Sequence, residues 1–177
     1  MGPGESGEKT GIYVISIFGG VPRKLREDAG RAAVAPDAKL IAFIAGKGES
    51  ELWLMSANGE NARKITDAGE GGRFLQLQWS PDGRRLALLK FRSGAETSNV
   101  SIEAQELIGG STNTIFSDQK LRSFCWTPDN RIIYSLEEPP PRSNDTNLWE
   151  IPLAPHSARA TGPPGVSPVG RDFPFGT

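Results

Sequence analysis

The 177-residue sequence has one cysteine, one histidine and almost no net charge. A lone Cys125 forms no internal disulfide and no cysteine metal cluster. With His156 the only imidazole, a zinc site built from several His or Cys ligands is excluded. The flanks of Cys125, Phe124 and Trp126, predict a buried structural thiol. Lys plus Arg (20) balance Asp plus Glu (21), so no net field draws the chain to nucleic acid or to an anionic membrane. No stretch approaches the ~20 apolar residues that span a bilayer. Residues 1–10 lack an apolar core, so no signal peptide is expected, and the compartment stays open between periplasm and cytoplasm.

What the sequence has is turn chemistry. Its 21 Gly and 14 Pro sit between apolar runs, which favours many short strands over long helices. The centre is Trp79-Ser80-Pro81-Asp82-Gly83-Arg84-Arg85-Leu86-Ala87-Leu88-Leu89-Lys90. Pro presets φ for the second turn position, and Gly accepts positive φ. Leu75, Leu77 and Trp79 alternate with Gln76 and Gln78, the period of a strand. After the turn, Leu86 and Leu88 point one way while Ala87, Leu89 and Phe91 point the other. A strand apolar on both faces needs cover on both.

The motif recurs as Ala35-Pro36-Asp37 and Thr127-Pro128-Asp129, with the three prolines 45 and 47 residues apart. Between these hairpins lie Ile12–Ile15, Leu52–Met55, Val100–Ile102 and Leu148–Ile151. The first three of these runs lead into glycine turns (Gly19-Gly20, Asn58-Gly59, Gly109-Gly110) that suit hairpins. Each unit is a four-strand meander, and its length matches the roughly 40–45 residues of a propeller blade. A sandwich would not repeat one turn sequence at a fixed period. The predicted fold is therefore all-β, a β-propeller arc of about three and a half four-stranded blades. Residues 1–10 form a flexible tail, 11–27 a half blade, 31–66, 73–117 and 121–160 fuller blades, the last with its outer strand near Ala158, and 161–177 a Gly/Pro-rich tail. Propellers close with about 4–8 blades, so this is an incomplete one.

These residues resemble a known pattern. Trp79-Ser80-Pro81-Asp82-Gly83, Arg85–Leu88, Glu51–Met55, Asn58-Gly59 and Lys64-Ile65-Thr66 are similar to the WD40-like repeats of TolB-type β-propellers, over about residues 11–153. Ala38 and Asn130 stand where Gly83 stands, and Ser101 is read in place of the aromatic of Trp53 and Trp149. Similar repeats serve sensor kinases, transcriptional regulators and the non-catalytic propeller of prolyl-oligopeptidase-like peptidases. A scaffold of this kind does not specify a function.

No cofactor or catalytic constellation emerges. Gly2-x-Gly4-x-x-Gly7 lacks the preceding strand that a dinucleotide site requires. His156 has no Gly-x-Ser-x-Gly elbow to serve. Asp37, Asp82 and Asp129 are expected to accept backbone N–H groups within their turns rather than to bind calcium. Trp53, Trp79, Trp126 and Trp149 are expected between blades rather than on a stacking platform. One asymmetry does suggest a site. The loops between second and third strands lengthen along the chain, and they bring Arg92, Glu96, Glu137, Glu138, Arg142 and Asp145 to one end. That pattern fits an interaction face on a rigid scaffold, and equally fits tolerated insertions.

The expected function is a non-catalytic scaffold binding a protein partner or small ligand, a sensor module of a larger bacterial protein. The alternative is the gating propeller of a prolyl-oligopeptidase-like serine peptidase whose catalytic domain lies elsewhere. Nucleic acid and membrane spanning are not expected. Open blade edges, beside Ile12, Val14 and Ile15 at one flank and Ile132 and Tyr134 at the other, suggest self-association.

Overall fold

In the computed structural model, residues 10–94, 97–137, 146–154 and 157–166 are described. Fourteen strands and no helix occur among them, hence no helix long and apolar enough to cross a membrane. The strands are β1 (Gly11–Val14), β2 (Arg23–Glu27), β3 (Ala29–Val34), β4 (Leu40–Ala45), β5 (Glu51–Ser56), β6 (Arg63–Asp67), β7 (Gly72–Trp79), β8 (Arg85–Arg92), β9 (Asn99–Glu106), β10 (Thr112–Ser117), β11 (Leu121–Trp126), β12 (Arg131–Glu137), β13 (Thr146–Pro152) and β14 (Gly165–Val166). They form a β1–β2 ribbon and three antiparallel four-stranded meanders, β3–β6, β7–β10 and β11–β14. The meanders stack face to face as the blades of an open propeller arc, with β3, β7 and β11 as successive innermost strands.

The turns that repeat in sequence repeat in geometry. Ala38 N–H donates to the Ala35 carbonyl, Gly83 to Ser80 and Asn130 to Thr127, at 2.8, 2.9 and 3.1 Å. The residue in the glycine place has positive φ each time: 58° at Ala38, 67° at Gly83 and 62° at Asn130. Glycine adopts this region freely and Asn more readily than most, whereas for Ala38 it costs roughly 1–2 kcal/mol. The turn is held nonetheless, because strands on both sides impose it. Asp37 and Asp82 each accept a backbone N–H two residues on, from Lys39 (3.0 Å) and Arg84 (3.1 Å). Burial alone would raise the carboxyl of Asp82. The Ser80 hydroxyl, the Arg84 N–H and the Arg85 guanidinium outweigh it and hold the group below its ordinary value.

Side-chain alternation sorts each blade's residues between two neighbours. Leu86, Leu88, Phe74 and Trp79 pack toward the first full blade, on Ala42, Ile44, Leu52 and Leu54. Ala87, Leu89, Val100 and Ile102 pack toward the third, on Phe124, Trp126, Ile132 and Tyr134. Trp79 and Trp126 are 6% and 3% exposed. A third cluster of Ala29, Ile41, Phe43 and Met55, flanked by Ile12, Leu25 and Trp53, joins the β1–β2 ribbon to the first blade.

Hydrogen bonds between innermost strands set the spacing of the second and third blades. Those strands are sheet edges, and their outward N–H and C=O groups need partners. On β7, the Gln76 amide donates to the Phe124 carbonyl (2.6 Å) and accepts from the Phe124 N–H (3.3 Å). Two residues on, Gln78 repeats this with Trp126, at 3.0 and 2.8 Å. Each side-chain amide thus stands in for a neighbouring strand. Between the first and second blades, the Trp79 indole N–H reaches the Ala33 carbonyl (2.9 Å).

Several expectations are corrected. Cys125 is exposed, not buried. Its neighbours Phe124 and Trp126 face the second blade, so period-two alternation turns the thiol to the opposite side. For the same reason Ile132 and Tyr134 are buried against the second blade, and the last blade's outward positions include Ile133 and Leu148. Its outermost strand is Gly165–Val166, paired with Glu150 and Trp149, whereas Ala158 is a buried non-strand residue beside an isolated Leu153–Ala160 bridge. Pro163 and Pro164 lack N–H donors, so regular pairing begins only after them. Finally, register puts Glu103 at the place of Trp53 and Trp149. Trp53 lies opposite Phe43, Trp149 opposite Tyr134 and Glu103 opposite Leu88, all on back-facing positions, so Ser101 is two residues off.

Two measurements check this architecture. Gln78→Ala leaves the N–H and C=O of Trp126 unpaired, and the expected loss of stability in chemical denaturation is about 1–3 kcal/mol. An unchanged midpoint would mean that the amide clasp does not hold the blades. Burial, with the charge of Asp118 adding to it, pushes the Tyr134 phenol from 10.0 up to about 12. The neutral ring's contribution is full below pH 10 and is lost as pH rises through about 12. Tyr134→Phe should therefore blunt the fall in stability across that interval.

Candidate functional site

Antiparallel meanders put the connections at two ends. One end carries the Pro-Asp turns. The other carries residues 46–50 between β4 and β5, the described ends of the β8–β9 and β12–β13 connections, and the links between blades. Of the residues assigned to this end, Arg92 is the exposed last residue of β8, opposite Asn99. Glu137 closes β12 opposite Thr146 and is ion-paired with Arg122. They lie on separate blades. Glu96, Glu138, Arg142 and Asp145 lie outside the described residues, as does His156.

The same end holds a cleft of about 500 Å³ between the β1–β2 ribbon and the first full blade. Trp53 lines it, and behind Trp53 the buried Phe43 stacks on the indole at 6.3 Å between centroids with planes 18° apart. The Arg26 guanidinium covers them, 5.5 Å from the Trp53 ring and 5.9 Å from Phe43. Such cation–π contacts help to hold both partners in place. On one wall the Trp53 indole N–H donates to Glu51 (2.9 Å), and Lys64 donates to the other Glu51 oxygen (3.0 Å). The Lys64 bond first, then the indole, lowers the Glu51 pKa, so this carboxylate stays ionised. On the opposite wall Lys24 donates to Glu27 at 2.7 Å, which raises the lysine.

Local backbone shapes the cleft. Gly46 turns at φ 81°, and a Cβ there would come 2.7 Å from Glu51 Cγ, so glycine alone lets the Glu51 side chain lie across the loop. Asp28 links ribbon to blade at φ 50°, a position where Asp is among the more tolerant residues. The described lining combines three carboxylates, two cations and an indole with Leu25, Ala45 and Gly46, without hydroxyl, thiol or imidazole. That set recognises charge and hydrogen-bonding groups. Sequence reading missed this cleft, because Trp53 reads as core and Arg26 and Glu51 carry no motif. The available signal was the dense charge of Arg23-Lys24-x-Arg26-Glu27-Asp28 immediately before the first blade.

No family model matches the chain. It is 30% identical over 101 residues to the Tol-Pal system protein TolB of Nitratidesulfovibrio vulgaris, a match covering 54% of this chain. It spans 44% and 21% of the length of two curated relatives that it matches. Among solved structures it is similar to the acylaminoacyl peptidase of Pyrococcus horikoshii, with a TM-score of 0.68 at 16% identity over 90% of this chain and 28% of that one. It is also similar to the β-propeller domain of the Trilobed protease from Pyrococcus furiosus, with a TM-score of 0.61 at 18% identity over 84% of this chain and 48% of that one. At such identities the structural likeness speaks for fold alone. The fold is thus that of a β-propeller arc, a two-stranded ribbon and three four-stranded blades among the described residues, and over 101 residues its sequence is similar to TolB.

Proposed function

We propose that this chain is a non-catalytic propeller scaffold, a binding or sensor module of a larger bacterial protein that takes its partner at the loop-bearing end. The observation that carries the reading is the contrast between the two ends. The Pro-Asp turns share one i→i+3 bond and one positive-φ residue in all three full blades, the third shorter by one residue, while the opposite end varies its loops more and holds the Arg26–Trp53 cleft. Rigid blades presenting variable loops at one end are the usual arrangement of a recognition surface. Likeness to peptidases below 25% identity supports a shared scaffold and adds nothing for the gating-propeller alternative.

Site-specific photo-crosslinking in cells that express the whole protein tests this. A crosslinker at Arg92 or Glu137 should capture a discrete partner, whereas one at Asp37 or Asp129 should not. Capture from the Pro-Asp end alone would overturn the assignment.

The first flank supports a second association. Among the described residues β1 is hydrogen-bonded on one edge only. Beside it Ile17, Phe18 and Val21 are each more than nine-tenths exposed, and Val34 is 58% exposed where Trp79 and Trp126 are buried. An open edge with an apolar skin is a surface for another strand-bearing chain. The purified chain should self-associate with concentration in sedimentation equilibrium, and the triple variant Ile17→Ser, Phe18→Ser, Val21→Ser should shift it toward monomer. A wild-type monomer at high concentration would refute it.

A further inference from the structure

The interface between the first and second full blades departs from its two sister interfaces. At back-facing register positions the first blade has Ala45 with Trp53 and the third has Leu136 with Trp149. The second blade has Lys90 with Glu103. Apolar pairs therefore satisfy this fold at the same places twice. A partly buried ion pair is commonly no more stable than apolar residues of similar volume, because desolvation offsets the attraction. Blade packing gives no reason for Lys90 and Glu103.

Loss of the indole leaves space. A cavity of about 260 Å³ lies between β6 and the outer strands of the second blade, and another of about 200 Å³ lies farther along the same face. Lys90, Glu103 and Thr114 line both. The side chains of Lys90 and Glu103 are only 12% and 15% exposed. Lys90 Nζ lies 3.3 Å from Glu103, a long bond for an ammonium with three donors. Glu103 also accepts from the Ser101 hydroxyl at 3.1 Å. Arg92 and Asp67 complete the charges, two positive and two negative.

We propose that this slot is a binding site for a small, neutral, polyhydroxylated molecule, a monosaccharide or cyclic polyol. The charges cancel, which disfavours an ionic ligand. The walls offer donors (Lys90, Arg92) and acceptors (Glu103, Asp67) with the Thr114 hydroxyl between them. Vicinal hydroxyls, each both donor and acceptor, satisfy such a mixture. The two cavities meet at Lys90, Glu103 and Thr114, and together they fall in the lower half of the ~300–1,000 Å³ of small-ligand sites, so the occupant is a small ring compound. This site is independent of the loop-end cleft, and its success or failure leaves the scaffold reading where it stands.

The test is an amide-resonance titration of the full chain with D-glucose, D-galactose and myo-inositol, with D-glucuronate as the charged comparator. At least one neutral probe should shift β8–β10 resonances saturably, with a Kd of about 1 mM or tighter. Glu103→Trp, which installs the sister blades' residue, should abolish the shifts. Lys90→Met and Thr114→Val should weaken binding tenfold or more, and these two decide the question if Glu103→Trp does not fold. No saturable shift with any neutral probe, binding that survives the variants, or tighter binding of glucuronate than of glucose would each overturn the proposal.

Discussion

Two glutamine side chains hold the second and third blades in register. A propeller blade ends at its innermost strand, and that strand presents half of its backbone groups to no partner within its own sheet. Gln76 and Gln78 meet those groups on β11 with paired donor and acceptor contacts. The spacing of two residues matters, because only alternate residues of a strand turn their N–H and C=O to the same side. The clasp therefore fixes both the distance between blades and the register of one against the next. Hydrophobic burial alone would tolerate slippage there.

The three junctions solve one packing problem with different chemistry. Ribbon and first blade meet over Phe43 and Trp53, capped by Arg26. The second and third meet over Trp126, Tyr134 and Trp149. The first and second are apolar near the axis and polar toward the rim, where Lys90 and Glu103 replace aromatic and aliphatic residues. A repeat protein needs each interface to be apolar enough to hold, and stability is close to a sum over neighbours. Two strong junctions can carry a third whose rim is given to recognition.

Position along each strand explains the division of labour between ends. The Pro-Asp turns are short, share one i→i+3 bond, and tolerate Ala, Gly or Asn at the same positive φ. Their uniformity reflects the strands they join. The other end has no such constraint, and its loops differ in length and charge. The cleft arises there because Gly46 permits a turn that Glu51 can fold over.

The repeat was legible in the sequence. Pro-Asp turns at a near-constant spacing and alternating apolar residues are local signals, and local signals determine strands, hairpins and the alternation of faces. That is why the blades and the burial of Trp79 and Trp126 follow from the residues alone. What the sequence could not disclose depends on register between strands far apart. Ser101 and Trp149 are equally spaced from their neighbours along the chain, yet a longer β9 hands the indole's place to Glu103. Cys125, flanked by aromatics, reads as core, but only the stacking order of the blades determines which side of β11 is covered. The Arg26–Trp53 cleft and the Lys90–Glu103 slot join residues from different strands and blades. Their chemistry exists only after tertiary packing sets the distance between them.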